Sequence, residues 1–220
     1  MLEIKIKSFA DLHNAVKKYS GRTVTYRGVT NANYELIPKL WRLKYKSKDI
    51  VKEEKTILRL FKEQSLPYLN LIPNNEWEWL ALAQHHGLPT RLLDWTRNPL
   101  VAAYFAVEKA YDGNSAIYVY KNRTFINTAI ELEPFQRETV GKFIPTHITR
   151  RITAQAGIFT IHPDPTEEFN ESLIEKLIIP KESRRYIKNE LHDYGVHRAA
   201  LFPDLDGLAQ HIEWLRSVKH

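Results

Sequence analysis

Four polar groups interrupt otherwise apolar stretches of this 220-residue chain: Arg27, the pair His85 and His86, the run Asp94-Trp95-Thr96, and Gln155. Each type suggests chemistry. An arginine on a strand can hold a diphosphate through paired hydrogen bonds. Histidine titrates near neutrality and can act as a general base. Asp94, Trp95 and Thr96 close a strand just before Asn98 and Pro99, an N-cap and first helical residue. A strand end that feeds a helix N-terminus exposes unpaired backbone N–H groups, which suit an anionic ligand. There Asp94 offers a carboxylate, Thr96 a hydroxyl and Trp95 a flat apolar surface. A plainer reading is also open, in which Asp94 and Thr96 only cap that helix.

Other chemistries lack support. His85 and His86 are adjacent, so on a helix they point about 100° apart and cannot share an ion. His147 and His162 have no useful spacing, and with no cysteine there is neither a disulfide nor a thiolate–metal site. No metal is expected. The G-x-S-x-G elbow, the Walker loop and the G-x-G-x-x-G fingerprint are all missing.

The elements that position these residues follow from hydrophobic period. "LEIKI" reads as a strand and "SFADLHNAVKKYS" as a helix capped by Ser8. "TVTYRGVT" is a strand with Val24 and Tyr26 on one face and Thr25 and Arg27 on the other. Gly28 either ends it or lets a backbone or ligand come close. Helices follow at about 48–66 and 76–86, the second with Trp77, Leu80, Ala81, Gln84 and His85 on one face and Gly87 as its cap. "TRLLDW" is a strand, "LVAAYFAVEKA" a helix buried nearly all round, and "SAIYVY" a core strand. Residues 121–150 read as a long, partly irregular connection. "TAQAGIFTIH" and "LIEKLIIP" give two more strands, and helices are expected at 182–194 and 206–217, the latter beginning near Asp204 or Asp206. The whole is one α+β domain.

Apolar residues make up 43% of the chain and charged residues 26%, as in an ordinary globular protein. The N-terminus lacks the apolar core of a signal peptide, and no stretch nears the roughly 18 apolar residues of a membrane span. The simplest expectation is a cytoplasmic, bacterial-type protein without membrane contact. The net charge of +6 favours anionic partners, although the Lys and Arg are scattered, so nucleic acid is only weakly supported.

The blocks "TYRGVTNANYELIPKLWR", "WLALAQHHGLPTRLLDWTRNPLVAAYFAVE", "RITAQAGIFTIHP" and "LFPDLDGLAQHI" resemble the FRG domain family, named for its Phe/Tyr-Arg-Gly motif, here Tyr26-Arg27-Gly28. The resemblance runs from about residue 20 to 216 and implies a single FRG-like domain over 1–220. A more distant similarity is to ADP-ribosyltransferases of the arginine-serine-glutamate type. It implies a central, mostly antiparallel split sheet flanked by helices, with NAD as substrate and a macromolecule or water as acceptor. By that resemblance Arg27 grips the NAD diphosphate beside Tyr26 and Gly28. Asp94, Trp95 and Thr96 stand where those enzymes have Ser-Thr-Ser.

The third transferase element departs from the pattern. Gln155-Ala156-Gly157 carries glycine where the catalytic glutamate is expected. Removing one stabiliser of developing charge commonly costs about 100- to 1000-fold in rate. Gln155 remains as a ribose ligand, with Asp94 or His85 to supply charge from another direction. The alternatives are a non-catalytic nucleotide- or nucleic-acid-binding module and, less favoured, a nucleic-acid hydrolase using His85 or His86.

Overall fold

The computed structural model describes residues 3–19, 21, 23–45, 48–145 and 150–217. Among them are seven strands: β1 (Glu3–Lys5), β2 (Thr25–Val29), β3 (Leu92–Thr96), β4 (Ser115–Tyr120), β5 (Gly141–Phe143), β6 (Gly157–Ile161) and β7 (Ile174–Ile179). The helices are α1 (Phe9–Lys17), α2 (Ile50–Ser65), α3 (Glu76–His85), α4 (Pro99–Val107), α5 (Arg150–Ala154), α6 (Arg184–Asp193), α7 (Arg198–Leu201) and α8 (Leu205–Arg216). All strands join one sheet in the order β1-β7-β4-β2-β3-β6-β5, antiparallel except for the β1–β7 pair. The fold is α+β, as the sequence predicts.

Strand alternation sorts the core. Ile117 and Val119 of β4 face α1, α4 and α6, whereas Ala116, Tyr118 and Tyr120 face the other side with Trp95 and Phe169. Leu92 of β3, with Phe159 and Ile161 of β6, packs under α2, α3 and α5.

Two local features place the site. In α3, Asn75 caps the start by accepting from the Glu78 amide at 3.0 Å. At the other end Gly87 has φ +83°, and the Leu88 amide donates back to the Ala83 carbonyl at 2.9 Å. This left-handed stop turns the chain into β3. In α4, Pro99 fills the first turn and the Asn98 side chain accepts from the Leu100 amide at 2.9 Å. Ala102 and Ala106 bring this helix against β2, where a Cβ on Gly28 would overlap the Ala102 carbonyl oxygen. Of the two readings of Gly28, close approach of a backbone is the one observed.

Several boundaries differ from expectation: α4 ends at Val107, and α7 is a helix not expected from the sequence. Residues 150–154 are helical, so the strand expected from Thr153 begins at Gly157, after a left-handed Ala156 with φ 47°. The irregular 121–150 segment contains the edge strand β5, whose Lys142 is buried and donates to the Asn122 carbonyl at 2.6 Å. Among the described residues no helix is long and apolar enough to cross a membrane.

Candidate functional site

Strands β2 and β3 meet at only one register pair, Tyr26 with Thr96. Extending that register would set Gly28 opposite Asp94. Instead the strands part, and a cleft of about 540 Å³ opens beside them. Arg27 spans the gap, its guanidinium donating to the Asp94 main-chain carbonyl at 2.6 Å and lying 3.5 Å from the Asp94 carboxylate.

Asp94 is the exposed carboxylate of this cleft and it is held in place. Gln84 donates to its Oδ2 at 2.8 Å, and the Thr90 hydroxyl donates to Gln84 Oε1 at 2.7 Å. The α3–β3 turn therefore fixes the Gln84 amide, and the amide fixes the carboxylate. Burial lowers the Arg27 pKa, with the Asp94 charge opposing that shift.

The cleft walls are strongly basic. Arg27, Lys39, Arg42, Lys109, Arg151 and Arg198 line it, against only Asp94 and Glu108. His85 also lines it, and burial, then Arg151 and His86, push its pKa down to about 4. It is therefore a neutral imidazole at pH 7.

Eight residues singled out from the sequence border this one cleft, His86 not among them, but their side chains differ in what they offer. Arg27, Asp94 and His85 present polar groups to it. Tyr26 is buried with Ala102 and Val119 in the α1–α4 core, and Gly28 is shaped by α4. Trp95 does not provide a flat surface for a ligand: its indole N–H donates to the Thr160 hydroxyl at 2.9 Å, and its ring packs on Tyr120 and Phe169. The Thr96 hydroxyl donates to the Gln155 carbonyl at 2.6 Å and accepts from the Asn98 amide at 3.0 Å, which is the capping role. The Gln155 amide donates to the Leu201 carbonyl at 3.1 Å and ties the α5–β6 turn to α7.

Sequence reasoning missed Arg151, Arg198, Glu108 and Phe202. They come from helices α5 and α7, the end of α4 and the residue after α7, and no local spacing links them.

The arginine of the Tyr26-Arg27-Gly28 strand therefore reaches the Asp94 turn across an open junction. Residues 22–115 match the FRG domain. No curated protein and no solved structure matches the chain. The FRG match covers β2, α2, α3, β3 and α4, and hence Arg27, Gln84, His85 and Asp94. The opposite wall, with Arg151, Gln155, Arg198 and Phe202, lies beyond it. Among the described residues no group of three or more His, Asp or Glu is arranged to hold a metal ion.

Proposed function

We propose that the cleft binds NAD or a related nucleotide, and that the protein is an ADP-ribosyltransferase-like enzyme. It would cleave the nicotinamide–ribose bond and pass ADP-ribose to a macromolecule or to water. The observation that carries this reading is the pairing of six cationic side chains with one exposed, positioned carboxylate, Asp94. The cations suit a diphosphate. The carboxylate suits the positive charge that develops on ribose as the glycosidic electron pair leaves with nicotinamide. Further support is that β2, β3 and β6, the strands invoked by the transferase resemblance, lie side by side.

In this mechanism the bond between the ribose anomeric carbon and the nicotinamide nitrogen breaks. Nicotinamide leaves neutral, and an oxocarbenium-like ribose faces Asp94. A hydroxyl, carboxylate or water then attacks that carbon, losing a proton where it carried one. Neutral His85 can accept a hydrogen bond from an attacking hydroxyl.

The test is incubation of the protein with NAD, alone and with cell lysate, following nicotinamide release and ADP-ribose attachment by mass spectrometry. Release that disappears in Asp94→Ala is expected. Absence of both release and NAD binding overturns the reading.

A second reading, a nucleotide- or nucleic-acid-binding module without catalysis, is favoured by Gly157. It pairs with Thr96, and a Cβ there would meet the Ile152 side chain at 3.2 Å. NAD binding by calorimetry without nicotinamide release is its signature. Nucleic-acid binding would instead fall steeply with added salt.

A further inference from the structure

We propose that Arg151 and Arg198, both stacked on the Phe202 ring, form an anion subsite in the cleft that takes a phosphate or diphosphate group. This deepens the reading of the cleft as a nucleotide site, and rests on it for the natural ligand. Each guanidinium carbon lies 4.2 Å from the Phe202 ring centroid. That ring is itself held edge-on by Phe105, with centroids 6.1 Å apart. Stacking fixes the plane of a guanidinium and leaves its N–H edge to recognise an oxyanion in paired fashion.

The two arginines are unequally paired. Arg198 is paired with Glu108, whereas Arg151 has no ion pair among the described residues. Asp204, Asp94 and Glu108 attract Arg151 only from beyond ion-pair distance, while burial and the Arg198 charge both disfavour its cation. The Nε atoms of Arg151 and Arg198 are buried and have no hydrogen-bond partner among the described residues. A buried donor left unpaired is costly. Two cations sharing one ring, only one of them in direct contact with a carboxylate, are an environment that a multiply charged oxyanion would satisfy. Both arginines lie outside residues 22–115, the stretch matched by the FRG domain.

The experiment is calorimetric titration of inorganic pyrophosphate into the full chain at fixed ionic strength. The parent should bind, and Arg151→Gln should weaken binding about tenfold or more, the loss expected for charge-assisted hydrogen bonds. Arg198→Gln should do the same. Glu108→Gln should tighten binding, because it frees Arg198, and it decides the matter together with Arg151→Gln if Arg198→Gln fails to fold. Arg59→Gln, on the exposed face of α2, should keep the parent affinity and controls for net charge. Absence of pyrophosphate binding by the parent overturns the subsite, as does a folded Arg151→Gln with parental affinity. Pyrophosphate binding that depends on Arg151, with no NAD binding at all, sustains the subsite and removes the NAD reading. NAD binding indifferent to both arginines does the reverse.

Discussion

The Arg27 guanidinium donates to the main-chain carbonyl of Asp94 where the β2–β3 ladder has already opened. A side chain thus takes over from the backbone at the one weak seam of the sheet. The same contact sets the edge of the cleft, so sheet integrity and site geometry share one residue. A sheet joined by one register pair needs such a tie, since each unmet backbone group costs stability.

Arg27→Ala should therefore cost stability as well as ligand binding. Loss of a charged donor to a carbonyl predicts a drop of about 1–2 kcal/mol in unfolding free energy. The urea midpoint measures this, and NAD titration of the folded variant should show weaker binding. A variant with the parental midpoint would mean the seam is held by β2–β4 and β3–β6 pairing alone.

Gly28→Ala tests a different explanation of the Tyr-Arg-Gly motif. The added Cβ would overlap the Ala102 carbonyl and come within 2.7 Å of the Ala106 amide nitrogen. Both are backbone atoms of α4, so the helix must move. Destabilisation of about 3 kcal/mol or more is expected, at the upper end of overpacking. Thermal unfolding checks it, and a parental melting temperature would show that α4 does not press on β2.

Much of this was legible in the sequence. The period-2 pattern around Arg27 and the Asn98-Pro99 start gave β2, β3 and α4, because alternation and capping are local signals. The same alternation bears on Trp95: neighbours on a strand point to opposite faces, so Asp94 in the cleft puts the Trp95 indole in the core. The strand β5 was hidden because its central Lys142 is polar yet buried, its charge satisfied by carbonyls from distant segments. Arg151 and Arg198 were hidden because only the tertiary meeting of α5 with α7 brings them to Phe202.

His162 predicts an acid-sensitive fold. It is buried beside the Thr160 hydroxyl, 2.8 Å from its Nε2, and burial, then the Arg27 charge, push its pKa down to about 3. The unfolded ring binds a proton below about pH 6.5, whereas the folded one stays neutral until about pH 3. Stability is thus complete above pH 6.5 and declines as pH falls. The loss from this group by pH 5 is about 2 kcal/mol. Denaturation at pH 7 and pH 5 should show that decline, and His162→Gln should flatten it. An equal slope in the variant would assign the decline elsewhere.

Glu54 and Arg91 form a buried ion pair, with side chains 1% and 2% exposed. The carboxylate accepts from the Arg91 amide at 2.8 Å and from its Nε at 2.7 Å, fixing the start of β3 to α2. Glu54→Gln should cost about 3–5 kcal/mol, because it strands the arginine charge. The double variant Glu54→Leu with Arg91→Met should recover most of that loss in urea unfolding. If the double variant is no more stable than the single one, packing around the pair rather than its charge is the cause.

Gly157→Glu separates the two functional readings. Gly157 opens β6 opposite Thr96, and its φ lies outside the left-handed region. An added Cβ meets only the Ile152 side chain and backbone, nearest at 3.2 Å, so a small shift of Ile152 admits a larger residue. If the protein cleaves NAD with a deficit of negative charge beside the ribose, a carboxylate here should raise nicotinamide release by about tenfold or more. Single-turnover assays with saturating NAD isolate that step from binding. A folded Gly157→Glu that binds NAD yet releases nicotinamide no faster would mean that charge at this strand does not limit the reaction. If parent and variant alike bind NAD and release none, the cleft is a binding site whose chemistry ends at recognition.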